Sequence, residues 1–355
     1  MHAILLWTIN DFLVYGNISG WVTKGYMACP VCNKYIPSHK LRSKIGYLSH
    51  RYFLPHDHAW RKSKRFDGKV NYQPSPILLT GVDVMQQLSH LKNLDYGKHP
   101  NNKKRSRSAE ELNWTKKSIL FELPYWCKLR LRHSLDVIHI EKNICDNILG
   151  TLLNLEGKTK DTIKARLDLE DTKIRKELHL VKRNDGSYII LLTCYTMSNT
   201  KKKSFCKFLK GIKFLDGILP IGMRGILKKD VTAALMELGD FCHRIYRRTL
   251  IMDDIKKMCI DISLILCKLE MIFLPAFFDV MVHLVVYLPN EALLGGPMAY
   301  QWMYPIQRFL GSLKRFVRNK ACPEGSIAEA YVVKECLTFC SMYLRGIETH
   351  FNMDE

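Results

Sequence analysis

Residues 3–32 read AILLWTINDFLVYGNISGWVTKGYMACPVC, and the order of their parts decides how the fold is read. Ala3 to Ile9 is an apolar run in the length range of a buried strand. It ends on the polar pair Asn10-Asp11, which places a carboxylate at the end of a strand, where sites are often built. Taken alone, Asp11 reads as a strand-ending or helix-capping residue before it reads as a metal-binding carboxylate. Gly16, Gly20 and Gly25 break up the next segment, and Cys29-Pro30-Val31-Cys32 follows. Two thiolates at that spacing can fill two corners of a zinc tetrahedron, and Pro30 with the flanking glycines suits a knuckle. Two further ligands are needed. His50, His56 and His58 are the local candidates, and the competing reading is a plain buried cysteine pair with surface histidines.

Moving outward, residues 95–108, DYGKHPNNKKRSRS, hold five Lys/Arg and almost no apolar side chain. Such a stretch cannot bury enough surface to order itself and reads as a solvated basic linker or arm. From Leu129 the pattern turns helical, with Leu135, Ile138, His139, Cys145, Ile148 and Leu149 near one face. Asp136, His139, Glu141 and Asp146 make a dense polar group on that helix, which reads first as a satisfied network. A charge-laced helix is expected over 162–178. Asn184-Asp185-Gly186 between two apolar runs predicts a hairpin turn. Further helices are expected over 231–250, 256–274, 277–288, 303–319 and 327–344, with Pro275 separating two of them and Pro323-Glu324-Gly325 forming a turn before the last. No internal repeat has a fixed period.

The 355 residues carry 54 Lys/Arg against 34 Asp/Glu, a formal net charge of +20. A field of that sign points to a polyanion partner, nucleic acid before membrane. The basic segments are 61–65, 98–107 with Lys103, Lys104 and Arg105, 201–203, and a helix from Arg308 to Lys320 on which Lys314, Arg315 and Arg318 share a face. Together they read as phosphate-backbone contacts. The most apolar stretch, 258–288, is interrupted by charged residues and Pro275, so no membrane span is expected. The N-terminus lacks the basic region of a signal peptide. Twelve cysteines, mostly single in apolar runs, read as reduced buried thiols rather than a disulfide scaffold.

Four stretches carry a resemblance: LLWTINDFLVYGNISGWVTKGYMACPVCN, GYLSHRYFLPHDHAWR, LRHSLDVIHIEKNICDNILGTLLNLEGKTKDTIKARLDL, and the long C-terminal run from FFDVMVHLVVYLPNEALLGGPMAYQWMYPIQRFLGSLK through GSIAEAY. They resemble the transposase of plant CACTA (En/Spm-like) transposons, followed by the domain of unknown function that accompanies it. The resemblance implies an RNase H-like core of the DDE type, with a second catalytic Asp before the CxxC, a distant histidine pair completing a zinc site, and a catalytic Glu after that pair. Carried onto this chain, Asp11 falls on the second Asp, Cys29, Cys32 and His283 on zinc ligands, Tyr287 on the second histidine, and Gln307 on the Glu. The first Asp is expected upstream of Met1, and residues 214–225 look abridged beside the family.

The expected fold class is therefore α+β, mostly α: a partial RNase H-like core with a CxxC zinc knuckle and a large helical C-terminal domain. The expected organisation is a partial transposase core with its knuckle over 1–94, a basic linker over 95–127, a helical insertion-like region over 128–219, and the helical transposon-associated domain over 220–355. Cleavage by DDE chemistry needs carboxylates that cage two divalent ions, Mg²⁺ included, so an amide at Gln307 leaves Asp11 vestigial. The expected function is an inactive, transposon-derived DNA-binding fragment that holds zinc and resides in the nucleus. The alternatives are an active DDE transposase with a truncated gene model, and a helical protein-interaction scaffold.

Overall fold

The computed structural model describes residues 4–89, 113–210 and 225–343. The chain is α+β and mostly α, in two compact units, Met1–Trp302 and Met303–Glu355. Lys103, Lys104 and Arg105, and most of the abridged 214–225 stretch, lie outside the described residues.

In the first unit, β1 (Thr8–Asn10) pairs in parallel with β4 (His133–Leu135), Asn10 opposite Leu135. β2 (Ser38–Lys40) and β3 (Ile45–Tyr47) form an antiparallel hairpin, and so do β5 (Val181–Lys182) and β6 (Tyr188–Ile189). The Asn184-Asp185-Gly186 turn lies where the sequence places it: Gly186 takes φ 83° and the Asp185 carboxylate accepts from the Ser187 amide and hydroxyl at 2.9 and 2.6 Å. All sheets among the described residues are two-stranded. The strand expected over Ala3 to Ile9 is cut short, with Ile4 and Leu6 exposed, because its three-residue partner gives it nothing to pair with beyond Thr8.

Helix α1 (Phe12–Ser19) starts at once after β1: the Asp11 carboxylate accepts the Val14 amide at 2.7 Å as N-cap. It ends at Gly20, whose φ of 85° needs a glycine. α2 (Ala59–Lys62) and α3 (Gly81–Ser89) follow. α4 (Val137–Leu152) buries Val137, Ile140, Ile144, Ile148 and Leu152. Its buried stripe differs from the expected face: Leu135 belongs to β4, and Ile138, His139, Cys145 and Leu149 are only half-buried. α5 (Ile163–Thr172), capped by Thr162, stops short of Leu178 where Lys173 turns left-handed at φ 58°. α6 (Asn199–Lys210), α7 (Lys229–Ile245) and the long α8 (Met252–Ile272) complete the helical layer. Beyond Pro275 the expected single helix is a chain of short turns, a 3-10 turn over Pro275–Phe277, α9 (Val280–Leu284), a 3-10 turn over Val285–Tyr287 and α10 (Leu288–Gly295).

One hydrophobic core joins these parts. Ala28, Cys29, Cys32 and Tyr47 of the N-terminal segment are buried in the same cluster as Ile140, Ile144, Leu238, Ile262, Leu266 and Leu284. Trp114 meets Trp21 edge-on at 4.8 Å. No helix of the described residues is long and apolar enough to cross a membrane.

The second unit holds α11 (Tyr304–Lys314) and α12 (Pro323–Tyr343). Pro323 opens α12 rather than a preceding turn, as its fixed φ and missing N–H allow at a first helical position. α11 ends at Lys314, where three-residue turns take over (Phe316 to Leu313 and Val317 to Lys314), so Arg318 is not a helical neighbour of Lys314 and Arg315. The cysteines are all free, but Cys322, Cys336 and Cys340 of this unit are exposed rather than buried.

Candidate metal centre

The loop before β2 is built to hold two thiols inward. The Trp21 indole donates to the Met27 carbonyl at 2.7 Å and the Tyr47 hydroxyl to that of Gly25 at 2.7 Å, which pins both sides of the loop. Asn33 at φ 55° reverses the chain, its amide returning to the Cys29 carbonyl at 3.0 Å. The Cys32 amide donates to the Cys29 sulfur at 3.4 Å.

The third member arrives from far along the chain. Asp279 caps α9 by accepting the Met281 and Val282 amides, and Asn147 of α4 holds the same carboxylate at 2.8 Å. That cap orients α9 so that His283 Nε2 lies 3.2 Å from Cys32 Sγ. Cys29, Cys32 and His283 are buried, and their donor atoms all fall within 4.8 Å of one another. Tyr287, one turn on, lies with its Oη 2.5 Å from Cys32 Sγ.

Burial would push both thiols up. At Cys29 the hydrogen bonds from Cys32 and His283 outweigh that and hold the thiol well below its ordinary value. At Cys32 burial wins, and the neighbouring Cys29 sulfur pushes the same way. The two thiols are thus pushed in opposite directions, and two sulfurs with an imidazole form a soft set suited to zinc rather than to magnesium or calcium.

Of the other histidines the sequence singles out, His50 is fully buried beside this cluster: its ring lies 5.9 Å from that of His283. Glu270 of α8 accepts from the His50 amide at 2.9 Å and meets Nδ1 at 2.5 Å. His56 is exposed, and His58 caps α2 by accepting the Trp60 amide at 3.2 Å, so both are spent elsewhere.

The carboxylates are arranged differently. Asp11 is committed to its cap, and Asp136 follows the neighbouring parallel strand, its amide donating to the Asn10 carbonyl at 2.9 Å. Of the polar group noted with it, His139 and Glu141 are half-buried and Asp146 is exposed. Gln307 lies on α11 in the second unit and is exposed, as are Arg308, Lys314, Arg315 and Arg318. Among the described residues the cysteine–histidine cluster is the only grouping of three metal-capable side chains.

Two acids escaped the sequence reading. Glu270 has just been described. Glu291 of α10 is buried and accepts from the Leu135 amide at 2.9 Å and the Ser134 hydroxyl at 3.2 Å, which ties α10 to β4. Burial pushes its carboxyl up to about 7. An acid inside an apolar stretch was the available signal for both, since a buried carboxylate needs a partner.

Residues 1–91 match the family model described as Transposase family tnp2. Residues 245–355 match that of a domain of unknown function, DUF4218. No curated protein and no solved structure is matched.

Proposed function

We propose that this transposase-family protein, which carries a domain of unknown function toward its C-terminal end, is a transposon-derived DNA-binding protein of the CACTA (En/Spm-like) group that holds structural zinc and does not itself cut DNA. The observation that carries the reading is the buried Cys29–Cys32–His283 cluster, whose members lie up to 254 positions apart and whose donor chemistry fits zinc. Zinc bound there supplies a cross-link between the knuckle and α9, and the chain's own residues do the rest. The parallel β1–β4 pair is then what remains of an RNase H-like sheet, with Asp11 as the vestige of a catalytic carboxylate.

The case against cleavage is one of charge. Two-metal phosphoryl transfer needs converging anionic oxygens, Gln307 offers a neutral amide where the resemblance calls for Glu, and Asp11 is engaged as a cap. The case for DNA is the net charge of +20, which attracts a phosphate backbone through counterion release. Nuclear location belongs to the same reading.

The test incubates the full chain with transposon-end DNA over a salt series and with Mg²⁺ or Mn²⁺. Retention that weakens steeply with salt, with intact strands, supports the reading. Salt-indifferent retention favours a helical scaffold. A catalytic reading draws on Asp11 and Asp136 following neighbouring parallel strands, and strand cleavage abolished by Asp11→Ala would establish it instead.

A further inference from the structure

Three donors leave a zinc tetrahedron one short, and two side chains adjoin the gap. Tyr287 occupies the position where the resemblance calls for a histidine, but its geometry is that of a hydrogen bond. Zinc–oxygen and zinc–sulfur bonds of about 2.0 and 2.3 Å put two tetrahedral ligands roughly 3.5 Å apart, whereas Tyr287 Oη and Cys32 Sγ are 2.5 Å apart. The separation of Cys32 Sγ from His283 Nε2, 3.2 Å, is close to what two ligands require. The contact between Tyr287 Oη and Cys32 Sγ is therefore a hydrogen bond and not a pair of metal ligands.

His50 has the opposite character. One carboxylate oxygen, Glu270 Oε1, takes both the backbone N–H and Nδ1 of His50. With its proton on Nδ1 and directed to Glu270, the ring carries a bare lone pair on Nε2. That atom is fully buried and, among the described residues, has no hydrogen-bond partner. Buried polar atoms without partners are rare and call for an explanation such as an unrecorded ion. The neighbouring imidazole is His283 of the metal cluster, ring centre to ring centre 5.9 Å. Two imidazoles bound to one zinc through nitrogens at about 2.0 Å have centres roughly 5 Å apart, so His50 has to move toward the cluster to ligate, since it is not among the side chains whose donor atoms lie within 4.8 Å of one another. A histidine whose far nitrogen is held by a carboxylate is the usual way a ligating imidazole is oriented and made more basic.

We propose that His50, oriented by Glu270, is the fourth ligand of the metal centre, and that Tyr287 serves as a hydrogen-bond donor to Cys32. The proposal rests on the metal reading above. It makes the centre a tie between the knuckle, the His50 turn with Glu270 of α8, and α9.

The experiment uses the full chain loaded with Co²⁺, with two readouts. In the wild-type protein, proton NMR of the cobalt form should show two hyperfine-shifted, exchange-protected imidazole N–H signals, one from each ligating ring. A single signal overturns the proposal. Competition with a chromophoric chelator then ranks variants whose fold is verified by circular dichroism. His50→Ala should weaken binding at least tenfold, Glu270→Gln about 10- to 100-fold, and Tyr287→Phe less than threefold. Affinity lost in Tyr287→Phe but kept in His50→Ala overturns the assignment. His50→Cys gives a gain-of-signal control that needs no loss of metal: the thiolate-to-cobalt absorption should grow by about half, from two sulfurs to three, and unchanged intensity counts against His50. If the wild-type chain shows no thiolate-to-cobalt band at all, the metal reading itself has failed, which is a different result from any of these.

Discussion

Cys32 and His283, 251 positions apart, meet at 3.2 Å between Sγ and Nε2 in the middle of the core. An ion joining them crosslinks a loop that carries few strands of its own to the helical layer behind it. Stability should therefore depend on metal. A ligand present at a thousand times its dissociation constant adds about 4 kcal/mol, and at this chain length that is roughly 5 °C in Tm. Metal analysis is expected to find one zinc per chain, removed by a strong chelator or by Cys29→Ser with a fall in Tm of that order in differential scanning calorimetry. An unchanged melt with the metal gone would mean that the knuckle stands without it.

Glu291 predicts an unusual pH dependence. Its carboxyl is raised to about 7 from an ordinary 4.5, chiefly by burial. Between those values the folded chain holds a proton that the unfolded chain has released, so this group's stabilising contribution is full below pH 4.5 and is lost as pH rises toward 7. The difference is on the order of 3 kcal/mol. Glu291→Gln keeps a carbonyl for the Leu135 amide and removes the titration. The variant is expected to gain on the wild type at pH 8 and to match it near pH 5, as read from urea unfolding at both values. An equal offset at both pH values would contradict the assignment.

His133 works in the other direction. It is buried on β4, its Nδ1 lies 2.7 Å from the Thr8 hydroxyl across the strand pair, and burial, helped by Arg132, lowers its pKa to about 3. Below its ordinary 6.5 the unfolded state takes up a proton that the folded state refuses, so stability is full above pH 6.5 and is lost as pH falls toward 3. His133→Asn retains a hydrogen-bonding side chain and should flatten the acid limb by up to a few kcal/mol. An acid limb of unchanged slope would place the responsible group elsewhere.

Gly20 closes α1 at φ 85°, and an added Cβ would sit 2.1 Å from the Lys116 carbonyl oxygen. Backbone cannot yield there cheaply, because Thr115 donates its amide and hydroxyl to the Gly20 carbonyl at 2.8 and 2.9 Å. Gly20→Ala combines left-handed strain with a clash and should cost roughly 2–4 kcal/mol. Gly25→Ala, equally left-handed but with open space around its Cβ, should cost about 1 kcal/mol. Equal losses in chemical denaturation would show that the Lys116 contact is relieved.

What the sequence reveals divides by distance. The Cys29–Cys32 pair, the 184–186 turn and most of the helices are legible because spacing and periodicity are local, whereas the helix expected over 277–288 breaks into short turns. His283 came through resemblance, since nothing in residues 258–288 marks one histidine among so many apolar neighbours. The His50–Glu270 pairing spans 220 positions and no local pattern encodes it. The short β1 was unreadable for a related reason: apolar content sets how long a strand can be, but a three-residue β4 sets how long it is.

DNA binding has its own test on α6. Lys203, Lys207 and Lys210 are exposed and fall at i, i+4 and i+7, so they stand along one face of the helix while Phe205 is buried in the core. If α6 lies along a phosphate backbone, replacing all three should lower the magnitude of the slope of log K against log salt by about 2–3, with affinity falling equally for unrelated sequences. Because the three side chains are exposed, the triple Lys→Ala variant should keep the wild-type melt. A slope unchanged in fluorescence anisotropy titrations at several salt concentrations would mean that α6 makes no phosphate contact.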